Sequence, residues 1–487
     1  MREGRFLEAI QAKVHNPLFP WGAEAKSILE QRYAPVGKLT EFEEPTVFRN
    51  RILWWTNHRE NISSKFVEEF SRWGVANETN WHGAWVLWFE EPFEPADHFG
   101  AWLSGWSDLE HNEAWAWYFD AVVPTRWGPR HLWRPPFSPA LAEAAHYFGP
   151  VMLVRGDVWN SLIQAGITSL EQASQVLMEQ ACCFQKGPGV PVRLYHLERP
   201  WRKRETGFSP TELELNPISI IVPSRNPSLI ASFLDSLIRT SRRNIADLIK
   251  VVVIANGPQA HQVISAAEHR WPRERLESVL YEGAFNWSTA NRLGAAKAWK
   301  KGWWVFANDD IEWLDDKWPA HLNHYLTQGS VGAIGACLLY PNGDVQHAGI
   351  ASPKPGVWVH RFQFLPDGIG GYMGLLQLPQ DVAAVTGALV ATRPEVYHAT
   401  GGFKEGYPLA YNDIDYCLRL GQGLLRTVYV PEWKAFHRET ATRQRTSEPP
   451  STRLFEREWG GYQDRWFPRD LSRWYGFPAV REIDLDI

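Results

Sequence analysis

The chain has 487 residues, of which 44% are hydrophobic and 22% charged, with a formal charge of −5 and an isoelectric point near 6.4. This length is too great for one ordinary core and predicts two or three domains. The mildly acidic balance argues against a dedicated nucleic-acid binder, which is usually basic. The 27 tryptophans indicate either unusual cores or surfaces on which sugar rings stack.

The sequence shows no sign of secretion or membrane insertion. Its N-terminal segment mixes charged and apolar residues and lacks the apolar core of a signal peptide. No apolar run reaches the 18 residues typical of a transmembrane helix. The four cysteines form no C-x-x-C pair, so we expect no zinc site, and inert reduced thiols in the cytoplasm. Peripheral association with the inner face of a membrane stays open.

The first half predicts an α/β module with few acids at its strand ends. Strand-like runs occur at Arg51–Trp55, Ala84–Phe89, Ala116–Val123 and Val151–Val154, and a helical pattern occupies 62–73. We place an N-terminal helical extension at 1–44 and the module at 45–204. The charged, aperiodic segment 205–216 predicts a linker.

The second half alternates buried-strand runs with helical patterns, which predicts a mostly parallel sheet with helices on both faces. Strand-like runs occur at Ile218–Val222, Lys250–Ile254, 277–281, Trp303–Ala307, Val331–Cys337, Ala383–Ala391 and Arg426–Val430, and helical patterns at 229–239, 259–270 and 288–301. Ligands of such sheets bind at the carboxyl ends of the strands. Asn226, Asn256 and the pair Asp309-Asp310 fall there.

Several residues near these strand ends could form a reaction centre. Asn308-Asp309-Asp310 suits a hard divalent cation, which binds oxygen ligands and neutralises a departing diphosphate. Asp413, at a predicted helix start, could accept a proton from a hydroxyl, and His437 could be a further metal ligand. Gly387 and Ala388 could let a substrate approach the backbone. Each has a plainer alternative: a solvated turn, a helix cap, a structural histidine or a loop.

Taken in order, these features resemble glycosyltransferase family 2, whose members have the GT-A fold. The resemblance covers 217–440 and is carried by PISIIVPSRN, FNWSTANRLGAA, VFANDDIEW, VGAIGACLLYPNGDVQHAGI, VTGALVATRPEVYHATGGF, YNDIDYCLRL and FHRE. It looks closest to bacterial enzymes that build O-antigen, capsule or S-layer glycans, many of them rhamnosyltransferases. FEREWG and DRWFPRDLS resemble the tails of that group, so we place a C-terminal tail at 441–487.

The resemblance implies a role for each matching position. Nucleotide-sugar contacts fall on Pro223, Ser224, Arg225, Asn226, Asn256, Asn286, Asn291, Asn308 and Asp309. A divalent metal, Mn or Mg, falls on Asp310 and His437, the catalytic base on Asp413, and support of the base or acceptor on Asn412, Asp415, Gly387 and Ala388. Asn226, Ala255, Asn308 and Asn412 depart from the usual acidic pattern. Asn226 and Ala255 reduce the number of polar contacts expected with the nucleotide base and its ribose.

The first half resembles, faintly, a second module that often precedes the main one in this group. WVLWFEEPFEPADHF, WAWYFDAVVP, WRPPFSPAL and FGPVMLVRGDVW carry the likeness, but of its acids only Glu90, Glu91 and Asp120 are present. We expect a degenerate GT-A-like module without transferase activity, and a plain α/β packing domain is an equal alternative. Core burial explains most tryptophans, whereas Trp287, Trp313 and Trp358 sit where a sugar ring could stack.

The implied activity is an inverting, metal-dependent transfer of a sugar from a UDP- or dTDP-sugar to a glycan or lipid-linked acceptor in bacterial surface polysaccharide synthesis. A pseudoenzyme that binds nucleotide-sugar or glycan without turnover is the alternative, and Asn226 and Ala255 support it. A nucleotidyltransferase fits less well, because PSRNPSL lacks a glycine-rich basic loop. A homodimer stays open. The Gly-, Pro- and aromatic-rich stretch 351–381 predicts a mobile loop over the acceptor site.

Overall fold

A computed structural model describes the protein at 51–56, 74–76, 84–90, 93–94, 116–124, 130–178, 184–186, 192–194, 215–241, 247–439 and 450–467. Several predictions lie outside these described residues. They are the extension at 1–44, the helical pattern at 62–73, most of the linker, both ends of the tail, and Cys182 and Cys183.

The described part of the N-terminal module contains ten strands and three helices. The strands are β1 (Arg51–Trp55), β2 (Gly74–Val75), β3 (Ala84–Phe89), β4 (Phe93–Glu94), β5 (Ala116–Tyr118), β6 (Ala121–Val123), β7 (Arg130–Leu132), β8 (Val151–Arg155), β9 (Phe184–Lys186) and β10 (Val192–Leu194). The helices are α1 (Pro139–Ala144), α2 (Gly156–Gln164) and α3 (Leu170–Met178). The run 116–123, predicted as one strand, is two strands in different sheets, because the chain turns at the buried Asp120, which accepts a hydrogen bond from the Arg134 amide (2.6 Å).

The C-terminal domain begins with β11 and is followed by a short tail. Its strands are β11 (Ile218–Ser224), β12 (Ile249–Asn256), β13 (Leu276–Tyr281), β14 (Trp303–Ala307), β15 (Ile311–Trp313), β16 (Val331–Leu339), β17 (Val345–His347), β18 (Ile350–Lys354), β19 (Val357–His360), β20 (Gln380–Asp381), β21 (Leu389–Thr392) and β22 (Arg426–His437). Its helices are α4 (Pro227–Thr240), α5 (Ala260–Glu268), α6 (Trp287–Ala295), α7 (Trp318–Leu326), α8 (Pro394–Ala399) and α9 (Asn412–Gln422), and the tail contributes α10 (Pro450–Trp459). Two 3-10 helices lie at Arg273–Arg275 and Tyr372–Gln377. Within the described residues, no helix is long and apolar enough to cross a membrane.

The large sheet of this domain has the order β13-β12-β11-β14-β21-β16-β22-β15. Its first four strands are parallel, whereas β21 runs antiparallel to both of its neighbours, so the sheet is more mixed than predicted. Alternate residues of β11 face opposite ways: Ile220 packs in the core with α4, and Ile221 in the core with α6. Helices therefore cover both faces, as the alternation of elements predicts.

Three element predictions in this domain differ from the structure. The run Ala383–Ala391 is a strand only in its last part, where β21 begins at Leu389. The helical pattern 288–301 ends at Ala295, because the following residues turn back toward β14. The stretch 351–381, predicted as a loop, contains the hairpin β18–β19 and a 3-10 helix. Much of it is buried, and Phe362, Leu375 and Tyr372 belong to the core.

Both modules use one strand order. When six strands of each sheet are numbered along the chain, β2-β1-β3-β8-β5-β9 and β12-β11-β14-β21-β16-β22 both have the order 2-1-3-5-4-6. The successive pairings also match, being parallel, parallel, antiparallel, antiparallel and parallel in each sheet. The N-terminal module therefore repeats the core topology of the C-terminal domain.

The two modules pack through a continuous core and a buried polar contact. One cluster of buried apolar side chains contains residues of both modules. Asp381, which is 2% exposed, accepts a hydrogen bond from the Ser138 hydroxyl (2.7 Å) and pairs with Arg426 (2.6 Å). Since Asp381 lies on β20, which pairs with β22, the N-terminal module contacts the sheet that carries the predicted site.

The described cysteines are structural. Cys337 and Cys417 are buried and unpaired. Burial raises the pKa of the Cys337 thiol to about 11 and that of the Cys417 thiol to about 12. Both therefore stay protonated at neutral pH, in agreement with the predicted inert thiols.

Candidate functional site

Asp310 and His437 meet where β15 leaves the end of β14. The β15–β22 register places Ile311 opposite His437, which brings the preceding Asp310 beside the imidazole. Asp310 Oδ1 lies 3.2 Å from His437 Nε2. The two residues predicted to bind metal, which are 127 positions apart in the chain, are therefore neighbours.

Gln346 fixes the orientation of the His437 ring. Gln346 Oε1 lies 2.6 Å from His437 Nδ1, and the Gln346 amide nitrogen donates to the His437 carbonyl (3.3 Å). This arrangement assigns the proton to Nδ1 and leaves the Nε2 lone pair facing the Asp310 carboxylate. Two facing electron pairs favour a cation between them, and an outer partner on the distal nitrogen is the usual arrangement of a metal-binding histidine. Sequence reasoning missed Gln346, although it lies in a matching segment.

Asp309 is held by Ser224. The Ser224 hydroxyl donates to Asp309 Oδ2 (2.7 Å) across the ends of β11 and β14. Burial raises the pKa of Asp309 to about 6, with a further increase from the charge of Asp310, while the Ser224 hydrogen bond lowers it. A cation bound nearby would favour the ionised carboxylate.

The donor set fits a divalent cation that shares its ligands with a substrate. Among the described residues no group of three or more His, Cys, Asp and Glu side chains could enclose a metal. Asp310 and His437 offer one oxygen and one nitrogen. Ions such as Mg²⁺ are usually held by one or two carboxylates, with phosphate and water completing the shell.

A cavity of about 160 Å³ opens beside Asp309 and Asp310. Arg239 and Arg438 line it, and both guanidinium groups contact Glu312, at 3.2 and 2.8 Å. Asp235 also lines the cavity and pairs with Arg270 (3.1 Å). The two lining guanidinium groups are donors that a phosphate group approaching a cation at Asp310 could meet.

Asp413 is held by two main-chain amides at the start of α9. Gly387 N–H donates to Asp413 Oδ2 and Ile414 N–H to Oδ1, both at 2.8 Å. The preceding Tyr411 has φ 66°, a conformation that bulky residues rarely adopt, and turns the chain into the helix. The carboxylate is half-buried and has a fixed direction, and each oxygen keeps a second lone pair for a proton.

Trp287 lies between the metal pair and Asp413. Its indole N–H donates to Asn308 Oδ1 (3.0 Å), and a Cβ added at Gly387 would lie 3.0 Å from the ring and 3.4 Å from Asp413 Cβ. Because Gly387 has no side chain, the Trp287 indole and the Asp413 side chain can both pack closely against its backbone. The Asn308 amide donates to Ala388 O (2.9 Å), which ties the same loop to the end of β14.

Residues 216–458 match the family model described as "Glycosyltransferase like family 2". The segment belongs to glycosyltransferase family 2. The predicted family and the predicted enzyme class, a glycosyltransferase, are thereby confirmed for this domain. Together with the observed sheet, the match also confirms the predicted α/β, GT-A fold class.

Relatives of this family 2 domain include proteins of surface glycan synthesis. The chain is 32% identical over 234 residues to the O-antigen biosynthesis protein RfbC of Myxococcus xanthus, covering 48% of this chain but 18% of that protein. It is 26% identical over 254 residues to an N-acetylglucosaminyl-diphospho-decaprenol L-rhamnosyltransferase of Mycobacterium tuberculosis, covering 49% of this chain and 80% of the relative. The chain thus spans less than a fifth of the first relative's length.

Solved glycosyltransferase structures show a weaker likeness. The structure of GalNAc-T7 with UDP, GalNAc and Mn²⁺ has a TM-score of 0.40 at 15% identity, covering 53% of this chain and 49% of that one. The mannosyltransferase PcManGT of Pyrobaculum calidifontis, with GDP-Man and Mn²⁺, has a TM-score of 0.34 at 17% identity, covering 57% and 76%. Scores this low bear on none of the residue roles.

The predicted nucleotide contacts of the glycosyltransferase domain have local structural roles. Asn226 caps α4 by accepting from Ser228 N–H (2.9 Å), and Asn286 caps α6 by accepting from Thr289 N–H (3.0 Å). The side-chain amides of Asn256 and Asn291 donate to the carbonyls of Tyr281 (2.7 Å) and Trp287 (2.9 Å). The Arg225 guanidinium lies 5.8 Å over the Phe285 ring, and Pro223 is buried within β11. These side chains shape the loops around the strand ends, and their contacts with a nucleotide stay predictions.

A second histidine supports the loop of the glycosyltransferase domain that holds Asp413. His347 Nε2 accepts from the amides of Thr386 (3.3 Å) and Gly349 (3.2 Å), and its Nδ1 lies 2.9 Å from His360 Nδ1. Burial holds the pKa of His347 well below its usual value of 6.5. The neutral ring therefore fixes the backbone just before Gly387. The sequence offered no signal for this role, because the partners lie 39 residues apart.

Asp415 supports the base only through the position of α9. It is fully buried, and its oxygens contact Arg419 (2.8 Å), Lys404 (3.1 Å) and the indole N–H of Trp459 (3.1 Å). Trp459 belongs to α10, so this contact ties the tail to α9. Asn412, also predicted as support, accepts from the Asp413 amide (2.8 Å).

We expect Asp415→Ala to lower the free energy of unfolding by about 3–5 kcal/mol, because it leaves the partly buried Arg419 charge without its partner. Urea unfolding of the full chain measures this change. Asp367→Ala is the matched control, since Asp367 and Lys434 pair at 2.7 Å with both side chains 34% exposed, and such pairs contribute about 0–1 kcal/mol. Equal losses in the two variants would contradict the buried role of Asp415.

We expect Gln346→Leu to raise the Mn²⁺ concentration needed for half-maximal activity by about 10–100-fold, because the His437 ring loses the partner that orients Nε2. Saturating Mn²⁺ should restore most of kcat. Electron paramagnetic resonance measures Mn²⁺ binding directly, so it checks the predicted loss of Mn²⁺ affinity independently of enzyme activity. Gln377→Leu is the control, because its exposed side chain contacts only the Gly368 carbonyl among described residues. An unchanged Mn²⁺ affinity in Gln346→Leu would remove this role.

Proposed function

We propose that the chain is an inverting, metal-dependent glycosyltransferase that moves a sugar from a nucleotide-sugar to a glycan or lipid-linked glycan. One observation carries the proposal. The Asp310–His437 pair and the Asp413 carboxylate lie on either side of Trp287, joined through Asn308 and Gly387. This chain of contacts supports a pair that would hold a cation and a carboxylate that would act as general base, close together near the strand ends.

In this proposal Asp413 accepts the proton of the acceptor hydroxyl while the hydroxyl oxygen bonds to the anomeric carbon and the bond to the diphosphate breaks. A divalent cation, Mn or Mg, held by Asp310 and His437 would neutralise the charge on the departing diphosphate. Trp287 and the backbone at Gly387 fix the separation between base and leaving group. Attack from the side opposite the leaving group inverts the anomeric carbon.

The substrates and setting follow the resemblance and the relatives' names. A UDP- or dTDP-sugar donor, an acceptor glycan and bacterial surface polysaccharide synthesis fit the O-antigen and rhamnosyltransferase relatives. A lipid-linked acceptor would place the enzyme in the cytoplasm, at the inner face of a membrane. No nucleic-acid partner is proposed, in keeping with the net charge of −5.

We propose that the N-terminal module is a degenerate copy without transferase activity. Its repeated strand order supports this, as does a matching contact: Glu90 N–H donates to Pro150 O (3.0 Å), as Asn308 does to Ala388. At the position that corresponds to Asn308, the Glu90 carboxylate accepts the Leu170 amide (2.5 Å) and caps α3. The fully buried Arg134 lies against Gly149, where a Cβ would overlap its guanidinium. These packing contacts support a copy that does not carry out transfer.

Incubation of the full chain with a panel of nucleotide-sugars and Mn²⁺ tests the proposed transfer. Release of a nucleoside diphosphate is the expected result. Binding of a nucleotide-sugar with no release, in the presence of glycan acceptors, would identify a pseudoenzyme. Pyrophosphate formed from a sugar phosphate and a nucleoside triphosphate would identify a nucleotidyltransferase.

A further inference from the structure

Phe455, on the tail helix α10, belongs to an aromatic cluster beside the start of α9. Its ring is 4% exposed and stacks on Tyr411, with the centroids 4.4 Å apart and the planes 16° from parallel. The Tyr407 and Trp358 rings meet the Phe455 ring edge-on, with centroid distances of 6.0 and 5.6 Å. The tail is therefore packed against the residues that lead into α9, the helix that carries Asp413.

Tyr411 has a backbone conformation that its side chain disfavours. It is the residue before α9 and has φ 66° and ψ 0°, in the left-handed region. For a bulky residue this region is disfavoured by about fivefold or more. A stacked aromatic pair shifts an equilibrium by about two- to tenfold beyond the effect of the area it buries. Because the two effects are of similar size, the Phe455 ring can decide whether Tyr411 keeps this conformation.

The conformation of Tyr411 sets the direction in which α9 begins. Tyr411 O accepts the first hydrogen bond of the helix, from the Asp415 amide (2.9 Å). The Asp413 carboxylate, two residues after Tyr411, accepts from the main-chain amides of Gly387 and Ile414, both at 2.8 Å. A change to negative φ at Tyr411 would turn the first residues of α9, and Asp413 with them, relative to the Gly387 amide.

The tail helix α10 contacts α9 on both sides of Asp413. Phe455 and Trp459 are four residues apart and therefore share one face of α10. The Phe455 ring contacts Tyr411. The Trp459 indole N–H donates to Asp415 Oδ1 (3.1 Å), four residues further along the chain. Asp413 lies midway between these two contacted positions, so α10 stabilises the helical turn that carries it.

We propose that Phe455 is a positioning residue for sugar transfer: it holds Tyr411 in the left-handed conformation and thereby directs the Asp413 carboxylate toward the acceptor hydroxyl. This inference rests on the proposed function, in which Asp413 is the general base. Phe455 acts through Tyr411 and takes no part in the chemistry itself. Displacement of a reacting group by about 1 Å can lower a rate by about 100-fold, so a ring that contacts only the start of α9 can still control kcat.

Phe455→Leu in the full chain tests this role, because leucine keeps apolar volume but removes the flat ring that stacks on Tyr411. Phe148→Leu is the matched control. Phe148 is fully buried and packs against Tyr118 at 5.1 Å in the N-terminal module, for which no transferase activity is proposed. Urea unfolding confirms that each variant is folded under the assay conditions.

We expect Phe455→Leu to lower kcat for transfer by about tenfold and to change the dissociation constant of the donor by less than about twofold, since the ring positions the base and not the donor. Phe148→Leu should keep both values. In a chain that also carries Tyr411→Gly, Phe455→Leu should lower kcat by less than about twofold, because glycine adopts positive φ without a stacking partner. An unchanged kcat in Phe455→Leu, or an equal loss with and without Tyr411→Gly, would overturn the role.

Hydrogen–deuterium exchange tests the same role without turnover. The Ile414 and Asp415 amides donate to Asp413 Oδ1 and Tyr411 O. They should exchange about tenfold faster in Phe455→Leu than in the unaltered chain, and at the original rate in Phe148→Leu. Unchanged exchange of these amides in Phe455→Leu would also overturn the role. Failure of the unaltered chain to release a nucleoside diphosphate from any donor would instead overturn the proposed function, since exchange requires no turnover.

Discussion

Asp413→Asn is expected to lower kcat for sugar transfer by about 10²–10⁴-fold, the usual contribution of a positioned general base. The amide keeps the size of the carboxylate and can still accept the Gly387 hydrogen bond, but its nitrogen then faces the Ile414 amide, and it cannot take the proton of the acceptor hydroxyl. In the proposed arrangement the donor would bind on the metal side of Trp287, so its dissociation constant should stay within about twofold of the original value, well under 1 kcal/mol. Nucleoside diphosphate release measures kcat, and isothermal titration with a nucleotide-sugar measures donor binding.

A surface carboxylate supplies the control for this substitution. Asp247 is 72% exposed, pairs with Arg275, and lies just before β12, at the amino ends of the parallel strands. Asp247→Asn should leave kcat and donor affinity unchanged. Full turnover by Asp413→Asn, or a parallel loss of donor binding, would remove Asp413 from the role of base.

Removing either member of the metal pair should cost several kcal/mol of transition-state stabilisation. Asp310→Asn and His437→Gln are each expected to lower kcat/KM for the donor by about 10²–10³-fold at fixed Mn²⁺, because the diphosphate leaves without full charge neutralisation. Raising Mn²⁺ should recover part of the loss. Chelation of divalent ions should abolish transfer by the unaltered chain, and added Mn²⁺ or Mg²⁺ should restore it.

Substitution of an exposed histidine is the control that distinguishes the loss of a metal ligand from the loss of any imidazole group. The exposed His269 lies at the C-terminal end of α5, which leads into the start of β13, and its Nδ1 lies 2.6 Å from the Ser265 carbonyl. His269→Gln should keep both rate and metal dependence. Transfer that persists undiminished in a chelator would contradict the proposed metal dependence of the enzyme.

The core strands of the transferase domain could be predicted because buried parallel strands are continuous apolar runs. The run Trp303–Ala307 was predicted with the bounds that the structure has, and the acidic triplet that follows it marked the strand end. Since strand ends gather ligands in such sheets, the neighbourhood of Asp309, Asp310 and His437 was predictable in outline. The direction of β21 could not be predicted, because an apolar run contains no signal that distinguishes parallel from antiparallel pairing.

The side-chain links of the site could not be predicted, because they depend on register and on long-range packing. Gln346 meets His437 across 91 residues, and the Trp287 indole meets Asn308 across 21. Positive φ at Tyr411 also leaves no trace in a sequence, since the residue type disfavours it. Asp415 was expected near the base and instead lies in a buried ion cluster, because Arg419 one helical turn later and Lys404 draw it inward.

The tryptophan excess mostly reflects packing, as predicted. Trp85, Trp88 and Trp117 are buried in the N-terminal module. Two of the three proposed for sugar stacking do not present a free face: Trp313 is 1% exposed, and Trp358 stacks on Tyr462 at 5.5 Å.

Because the strand order is repeated, each module of this chain can be compared with the other. Two copies of one strand order lie in the same chain: in one, Asp309, Asp310 and Asp413 lie around the strand ends, and in the other Glu90 caps α3 and Arg134 is buried against Gly149. Because six strands of each half share that order, a side chain at one of these strand ends can be compared directly with the side chain at the matching strand end of the other half.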